Sequence, residues 1–222
     1  MPGIYPSIIA ADLLNLKKEI EETEKYSHGY HIDIMDPYFT SNITIGPMFI
    51  EPISRLTAKQ LWVHLMVEKP KEYLDRLPLP GGSIFTFHLE SKGGVLVMIK
   101  KIKQKNWLPS LAISPQTPIQ DVFPFLDKLH QVLIMTVEPG FAGQPMLTDT
   151  LQKIDPLLGY RQTRGLKFRI AVDGGINVHN FDMLLKKGVD DFAIGTGIFK
   201  YPNPEEALRI FNNMDRIEEP NY

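Results

Sequence analysis

The chain contains 222 residues, of which 43% are hydrophobic, and its 24 basic and 26 acidic side chains leave a formal charge of −2. This balance argues against nucleic acid and against an anionic membrane as partners, and no apolar run approaches the length of a membrane-spanning helix. Because no charged and apolar leader opens the chain, we expect a cytoplasmic protein. The sequence has no cysteine, so a bound metal would need histidine and carboxylate ligands.

Strand-like and helix-like segments alternate along the chain. The predicted strands span residues 4–10, 29–35, 60–66, 83–89, 108–113, 132–137, 168–172 and 191–194. The predicted helices span residues 13–26, 49–56, 70–77, 93–105, 119–129, 148–164, 178–187 and 204–217, with Asp12 as the N-cap of the first. Eight such units predict an α/β fold, a (β/α)8 TIM barrel forming one domain over residues 1–222. An open doubly wound sheet is the alternative, but its glycine fingerprint is missing. We expect a frayed tail from about residue 215.

The second predicted strand combines apolar and ionisable side chains. His31, Asp33 and Met35 alternate with apolar neighbours, and residues two apart in a strand point to the same face. A buried carboxylate is costly unless it is paired or coordinated. We therefore expect a partner for Asp33, either a divalent metal held jointly with His31 or a hydrogen bond with His31 in the core.

Other polar side chains fall at the ends of predicted strands, where such a barrel has its active site. They are Ser7, His64, His88, Glu90 and Asp173, together with Met66. A set made of His31, Asp33, His64 and Asp173 would suit Zn²⁺, Mn²⁺, Fe²⁺ or Co²⁺ better than Ca²⁺. Because this set is complete with four ligands, we interpret His88 and Glu90 as supporting or packing groups.

Two aspartates on either side of a metal ion could also transfer protons. Asp33 and Asp173 could act on opposite faces of one substrate carbon. The ion would polarise a neighbouring ketone and stabilise the enediolate. Met35 and Met66 could shield that intermediate from water, although core filling is the commoner use of methionine.

Glycines are concentrated in the loops after strands six, seven and eight. They are Gly140, Gly143, Gly174, Gly175, Gly195 and Gly197. Glycine lets backbone N–H groups approach a ligand closely, and barrels commonly bind phosphate with the loops after strands seven and eight. One glycine pair is more often a tight turn, but three loops at one face favour a phosphate site without lysine or arginine.

Together these motifs resemble the ribulose-phosphate 3-epimerase family. The resemblance runs from the first strand to the last and rests on Pro6-Ser7, His31-x-Asp33-x-Met35-Asp36, Asn42-x-Thr44-x-Gly46, His64-Leu-Met-Val67-x-x-Pro70, Met-Thr-Val-Glu-Pro-Gly-Phe-Ala-Gly-Gln at 135–144, Val172-Asp-Gly-Gly175 and Gly195-Thr196. It implies a barrel of the ribulose-phosphate-binding type, a divalent metal cofactor, and an isomerase of the pentose phosphate pathway that inverts C3 of a ketose phosphate.

The resemblance also implies residue roles. The metal ligands would be His31, Asp33, His64 and Asp173, with Asp33 as proton acceptor and Asp173 as donor, exchanging in the reverse direction. The substrate, mainly its phosphate, would be bound by Ser7, His64, Gly140, Phe141, Ala142, Gly143, Gly174, Gly175, Gly195 and Thr196. Zn²⁺ is our first choice of metal, with Fe²⁺, Mn²⁺ or Co²⁺ as alternatives. We expect a homo-oligomer.

One segment departs from the family pattern. After Met35-Asp36 the family usually has Gly-His-Phe-Val-Pro-Asn, whereas this chain has Pro-Tyr-Phe-Thr-Ser-Asn at 37–42. Pro37 has a fixed φ and restricts Asp36, so we expect the loop after strand two to be built differently. D-ribulose 5-phosphate is the first choice of substrate, and D-allulose 6-phosphate is the alternative.

Two other classes of function remain open. A barrel whose altered loop no longer closes would bind a sugar phosphate without turnover. A decarboxylase or aldolase acting on a phosphorylated sugar would need a lysine at a strand end, and strands two, three, six and seven do not end in one.

Overall fold

The computed structural model describes residues 2–214, and within them eight parallel strands form one sheet. The strands are β1 Gly3–Pro6, β2 Gly29–Met35, β3 Gln60–Met66, β4 Ile84–His88, β5 Leu108–Ile113, β6 Gln131–Met135, β7 Arg169–Asp173 and β8 Asp191–Ile194. Neighbours in sequence pair from β2 to β8, and β1 pairs with β8. A parallel bridge between Ser7 and His31 joins β1 to β2. The predicted (β/α)8 barrel is therefore confirmed.

The outer layer consists of α-helices and 3₁₀-helices. The α-helices are α1 Leu16–Thr23, α2 Ile50–Leu56, α3 Val95–Gln104, α4 Ile154–Arg164, α5 Phe181–Lys186, α6 Thr196–Phe199 and α7 Pro204–Met214. The 3₁₀-helices are Ile8–Ala10, Leu13–Asn15, Glu24–Tyr26, Pro47–Phe49, Pro70–Tyr73, Ile119–Lys128 and Thr148–Lys153. None of the helices within residues 2–214 has both the length and the apolar character to cross a bilayer.

Several predicted boundaries were wrong. The first strand ends at Pro6, and Ile8–Ala10 is a 3₁₀ turn, because a short buried apolar run does not distinguish strand from helix. Helix 70–77 shortens to a 3₁₀-helix over Pro70–Tyr73, since the prolines at 78 and 80 disfavour helical geometry before them. The short α6 was not predicted. The end of predicted helix 204–217 and the tail from 215 lie outside the described residues.

The side chains of the strands divide into two cores. Tyr30, Ile32 and Ile34 point outward and pack in the large core between sheet and helices. Inward-facing residues fill the barrel, among them Trp62, whose indole donates to Thr86 Oγ1 at 2.7 Å. This alternation places the other residues of β2 inside the barrel, as the sequence predicted.

A polar network occupies the N-terminal ends of β6, β7 and β8. Asp191 is 1% exposed and accepts from the Arg169 guanidinium at both carboxylate oxygens, each at 2.6 Å. Gln131 Nε2 also donates to Asp191 Oδ2 at 2.8 Å, and Gln131 Oε1 accepts from Ser110 Oγ. The buried charge of Asp191 is thereby fully paired, which supports the end of the barrel opposite the site described next.

Candidate active site

Asp33 is the centre of a buried polar cluster at the C-terminal end of β2. It is 4% exposed and accepts from Ser7 Oγ at 2.6 Å through Oδ2. His31 Nδ1 lies 3.2 Å from the same oxygen. The edge of Trp62 packs on the His31 ring from below, with ring centroids 4.7 Å apart. The hydrogen bond between His31 and Asp33 therefore exists, but it is part of a larger group.

His64 and Asp173 complete this group from β3 and β7. His64 Nδ1 lies 3.3 Å from both Asp33 Oδ1 and Asp173 Oδ2, and His31 Nε2 lies 3.8 Å from Asp173 Oδ2. One ligand atom from each of the four residues lies within 4.8 Å of the others. Strand register explains part of this convergence, because Asp33 and His64 are direct neighbours across β2 and β3.

The cluster fits a divalent cation. His31 Nε2 and His64 Nδ1 are buried and have no hydrogen-bond partner within the described residues. Buried polar atoms of this kind call for a partner, and both atoms face carboxylates. Two imidazole nitrogens and two carboxylates form the hard-to-borderline donor set of Zn²⁺, Fe²⁺, Mn²⁺ and Co²⁺. These four residues could therefore hold a metal ion.

The charges of the cluster are strongly coupled. Burial opposes ionisation of Asp33, yet the charge and hydrogen bond of His31 and the charge of His64 hold the pKa of Asp33 far below its usual value. Burial likewise opposes charging of His64, but the carboxylates of Asp173 and Asp33, each 3.3 Å from Nδ1, raise the pKa of His64 to about 9. Without a metal ion, a proton on His64 thus compensates the carboxylates.

A cavity opens above the cluster at the C-terminal face of the barrel. It is lined by most of the residues predicted to bind substrate or shield it: Ser7, Asp33, Met35, Met66, Gly140, Phe141, Ala142, Gly143, Asp173, Gly174, Gly175, Gly195 and Thr196. His31 and His64 lie beneath this lining and are fully buried. The structure therefore brings all the predicted site residues to one place.

The two glycines after β7 have a backbone conformation and a packing that require glycine. Gly174 has φ +120°, and a Cβ there would lie 2.5 Å from Val137 Cγ2. Gly175 has φ +65°, and a Cβ there would lie 2.4 Å from the backbone nitrogen of Met146. Larger residues are excluded at both positions, because they would be strained at a positive φ and would clash with these neighbours. The two glycines therefore determine the path of the backbone directly after Asp173.

The loop after β2 is anchored by two polar side chains. Asp36 Oδ1 accepts from the backbone of Tyr38 and Phe39, and Asp36 Oδ2 accepts from Glu68 N at 2.9 Å. Asn42 Nδ2 donates to Gly140 O at 2.8 Å, which connects this loop to the glycine loop after β6. The segment containing Pro37 is therefore an ordered turn beside the cavity.

Two contributors to the site stand in the quoted family motifs, but the sequence assigned them no role. Met135 lines the cavity as a third methionine and is the direct neighbour of Asp173 across β6 and β7. Its position at the inward-facing end of a strand was the available signal. Thr44 Oγ1 donates to Asp33 O at 2.6 Å and accepts from Met35 N, a role that the residue type alone does not indicate. No lysine is among the described residues lining the cavity.

His88 and Glu90 support the cluster from β4, as predicted. His88 is fully buried, and its Nε2 lies 2.9 Å from His64 Nε2. His88 Nδ1 lies 3.2 Å from Glu90 Oε2. Neither residue lies within the four-residue group.

Comparison with solved structures shows the same fold in other proteins. KGPDC from Streptococcus mutans superposes with a TM-score of 0.70 at 17% identity, covering 98% of this chain and 99% of that one. The 3-hexulose-6-phosphate synthase of Salmonella typhimurium gives a TM-score of 0.68 at 17% identity, covering 96% and 98%. At these identities the likeness concerns the barrel alone.

Sequence comparison is more specific. The ribulose-phosphate 3-epimerase of Schizosaccharomyces pombe is 35% identical over 214 residues, covering 95% of this chain and 92% of the relative. The ribulose-phosphate 3-epimerase of Bacillus subtilis is 33% identical over 210 residues, covering 94% and 97%. The model of the ribulose-phosphate 3-epimerase family matches residues 3–199. With this match over nearly the whole barrel, the chain belongs to the ribulose-phosphate 3-epimerase family, a family of isomerases.

Proposed function

We propose that this chain, as one barrel domain, interconverts D-ribulose 5-phosphate and D-xylulose 5-phosphate by inverting C3. The observation that carries the proposal is a pair of carboxylates, Asp33 and Asp173. They form one group with two buried histidines and line a cavity that the glycine loops also line. Family membership supports the reaction class.

In the proposed mechanism each aspartate transfers one proton. Asp33 enters as a carboxylate and takes the proton from C3, leaving an enediolate across C2 and C3. Asp173 enters protonated and gives its proton to the opposite face of C3, which inverts the configuration. In the reverse direction the two residues exchange roles. The low pKa of Asp33 suits the residue that must start ionised.

The four-residue cluster would hold a divalent cation, with Zn²⁺ as first choice and Fe²⁺, Mn²⁺ or Co²⁺ as alternatives. When bound, such an ion supplies Lewis acidity toward the C2 oxygen of the substrate. Ser7 Oγ, which donates to Asp33 Oδ2, would orient the carboxylate so that Oδ1 faces the cavity.

The phosphate would bind away from the reacting carbons. The 140–143, 174–175 and 195–196 segments line the same cavity as Asp33, and backbone N–H groups of such loops can bind phosphate without a cationic side chain. Met35, Met66 and Met135 would form the apolar wall on the other side and exclude water from the enediolate.

The test is a panel of pentulose and hexulose phosphates assayed with each of the four metals in D₂O. We expect epimerisation of D-ribulose 5-phosphate with incorporation of solvent deuterium at C3. A preference for D-allulose 6-phosphate would instead assign the six-carbon alternative. Binding of either sugar phosphate without turnover would indicate a non-catalytic barrel.

Replacement of either aspartate tests the two-base mechanism directly. Asp33→Asn and Asp173→Asn should each lower the epimerisation rate by at least about 10²-fold, because general acid–base steps contribute on that order. The metal content of each variant must be measured in parallel, since both residues are also proposed ligands. A variant that retains its metal and also retains full activity would exclude the mechanism.

A further inference from the structure

The contacts of His88 and Glu90 form one chain of hydrogen bonds that ends at His64. His64 Nε2 lies 2.9 Å from His88 Nε2, and His88 Nδ1 lies 3.2 Å from Glu90 Oε2. His64 and His88 are fully buried. Each imidazole has one protonated and one bare nitrogen when neutral, so the direction of one hydrogen bond determines the direction of the next.

Glu90 determines the direction of all the hydrogen bonds in this series. Its Oε1 accepts from Ser114 N at 2.8 Å and from the Thr117 hydroxyl. Its Oε2 can only accept, so His88 Nδ1 must carry a proton and His88 Nε2 must be bare. His88 Nε2 then accepts from His64 Nε2–H, so the single proton of a neutral His64 lies on Nε2, and its Nδ1, which faces Asp33 and Asp173, is bare.

The charge state of Glu90 agrees with this direction. Burial opposes ionisation of Glu90, but its hydrogen bonds with His88, Thr117 and Ser114 lower the pKa of Glu90 to about 2. The acceptor at the end of the chain is therefore a carboxylate.

We propose that Glu90 is a positioning residue that acts through His88 to fix the tautomer of His64 and so presents His64 Nδ1 as a lone pair to the metal ion. This inference rests on the metal site in the proposed function. It extends that site by two residues on β4 and its following loop, neither of which touches the ion or the substrate.

The surroundings of Glu90 make its orientation rigid. Lys153 is 7% exposed and donates from Nζ to Ser114 O at 2.9 Å and to Pro115 O at 2.8 Å. Lys153 thereby holds the loop after β5, whose Ser114 N–H and Thr117 hydroxyl bind Glu90 Oε1. A glutamine at position 90 would keep its carbonyl oxygen on these two donors, so its amide nitrogen would face His88.

The substitution Glu90→Gln should therefore reverse the direction of the hydrogen bonds from residue 90 to His64. An amide N–H would donate to His88 Nδ1, His88 Nε2–H would donate to His64 Nε2, and a proton would occupy His64 Nδ1. Glu90→Ala removes the directing group without imposing the opposite direction. If Glu90 had a purely structural role, E90A would bind Zn²⁺ more weakly than E90Q, because glutamine preserves the volume of the side chain and alanine does not.

The experiment measures the dissociation constant of Zn²⁺ for the whole protein by competition with a chromophoric chelator. We expect E90Q to bind Zn²⁺ about 10- to 100-fold more weakly than the wild type, and more weakly than E90A. Glu68→Gln is the matched control, since the half-buried Glu68 pairs with the exposed Lys92 and lies outside the four-residue group, so Zn²⁺ binding should be unchanged. The melting temperatures of the metal-free variants check the fold.

Each outcome is decisive. E90Q binding Zn²⁺ as tightly as the wild type, or more tightly than E90A, overturns the inference and leaves the metal site intact. A wild-type protein that binds none of Zn²⁺, Fe²⁺, Mn²⁺ or Co²⁺ overturns both the inference and the metal part of the proposed function. If E90Q does not fold, His88→Phe removes the acceptor for His64 Nε2–H while retaining a ring. Unchanged Zn²⁺ affinity in H88F would equally contradict the inference.

Discussion

At the scale of single residues, the site depends on polar atoms whose partners come from distant parts of the chain. Asp33 is bound by Ser7 from β1 and lies 3.3 Å from His64 on β3. The sequence indicated which residues take part, because ionisable side chains on apolar strands are unusual. It did not indicate the role of Thr44, since the residue type alone does not show that its hydroxyl binds the backbone of Asp33. Nor did it indicate the direction of the His64–His88 hydrogen bond, which depends on three-dimensional contacts.

Gly174 offers a test of how closely the loop after β7 is packed. Gly174→Ala should destabilise the protein by at least about 2 kcal/mol, because alanine is strained at φ +120° and its Cβ would contact Val137. Activity should fall as well, since the displaced backbone directly follows Asp173. Chemical denaturation and the epimerase assay measure the two effects.

Gly46→Ala is the control for this substitution. Gly46 has φ −102°, and no atom lies within 4 Å of a Cβ built there, so its stability should change by less than about 0.5 kcal/mol. Equal stabilities of the two variants would show that the loop after β7 adapts to a side chain.

At the scale of elements, strands were predicted better than helices. The bounds of β2, β3, β5 and β8 match the prediction, because alternating or continuous apolar runs between turns specify buried strands. The segment 119–129 was predicted as an ordinary helix, but it is 3₁₀ over Ile119–Lys128 and contains Pro124. Proline cannot donate the i→i−4 hydrogen bond of an α-helix, and apolar spacing alone does not distinguish the two helix types.

The polar network at the N-terminal ends of β6, β7 and β8 should contribute to the stability of the barrel, and a substitution of Arg169 tests this. Arg169→Met removes the only cation bound to Asp191 among the described residues and leaves a buried carboxylate unpaired. We expect a loss of about 3–5 kcal/mol in the free energy of unfolding. The Zn²⁺ affinity of the folded protein should not change, because this network lies at the opposite end of the barrel.

Arg55→Met provides the comparison, because Arg55 pairs with Glu51 on an exposed helix surface. Its loss should cost less than about 1 kcal/mol. A variant R169M no less stable than R55M would contradict a stabilising role for the network.

At the scale of the whole molecule, the site couples the stability of the barrel to pH. In the metal-free protein the pKa of His64 rises from 6.5 to about 9, so its contribution is fully present below pH 6.5 and disappears as the pH rises through 9. The pKa of Asp33 is lowered from 3.8, so its contribution is present above that value and is lost in acid. The metal-free protein should be most stable between these limits.

Thermal unfolding across this pH range measures the effect. Saturation with Zn²⁺ should remove the decline between pH 6.5 and 9, because a ligand held by His64 replaces the proton. A metal-free protein whose melting temperature is constant over this interval would contradict the charge coupling within the cluster. The predicted homo-oligomer and cytoplasmic location stay predictions.

The closure of the barrel has a consequence for how the protein is made. Gly3 pairs with Asp191 across β1 and β8, so almost the entire chain must leave the ribosome before the first strand meets its last neighbour. Ser7, from the beginning of the chain, and Asp173, from near its end, meet in the same pocket. Contacts of such long sequence separation form slowly. We therefore expect nascent chains that end before β7 to have no metal-binding capacity, and the capacity to arise as one late event of synthesis.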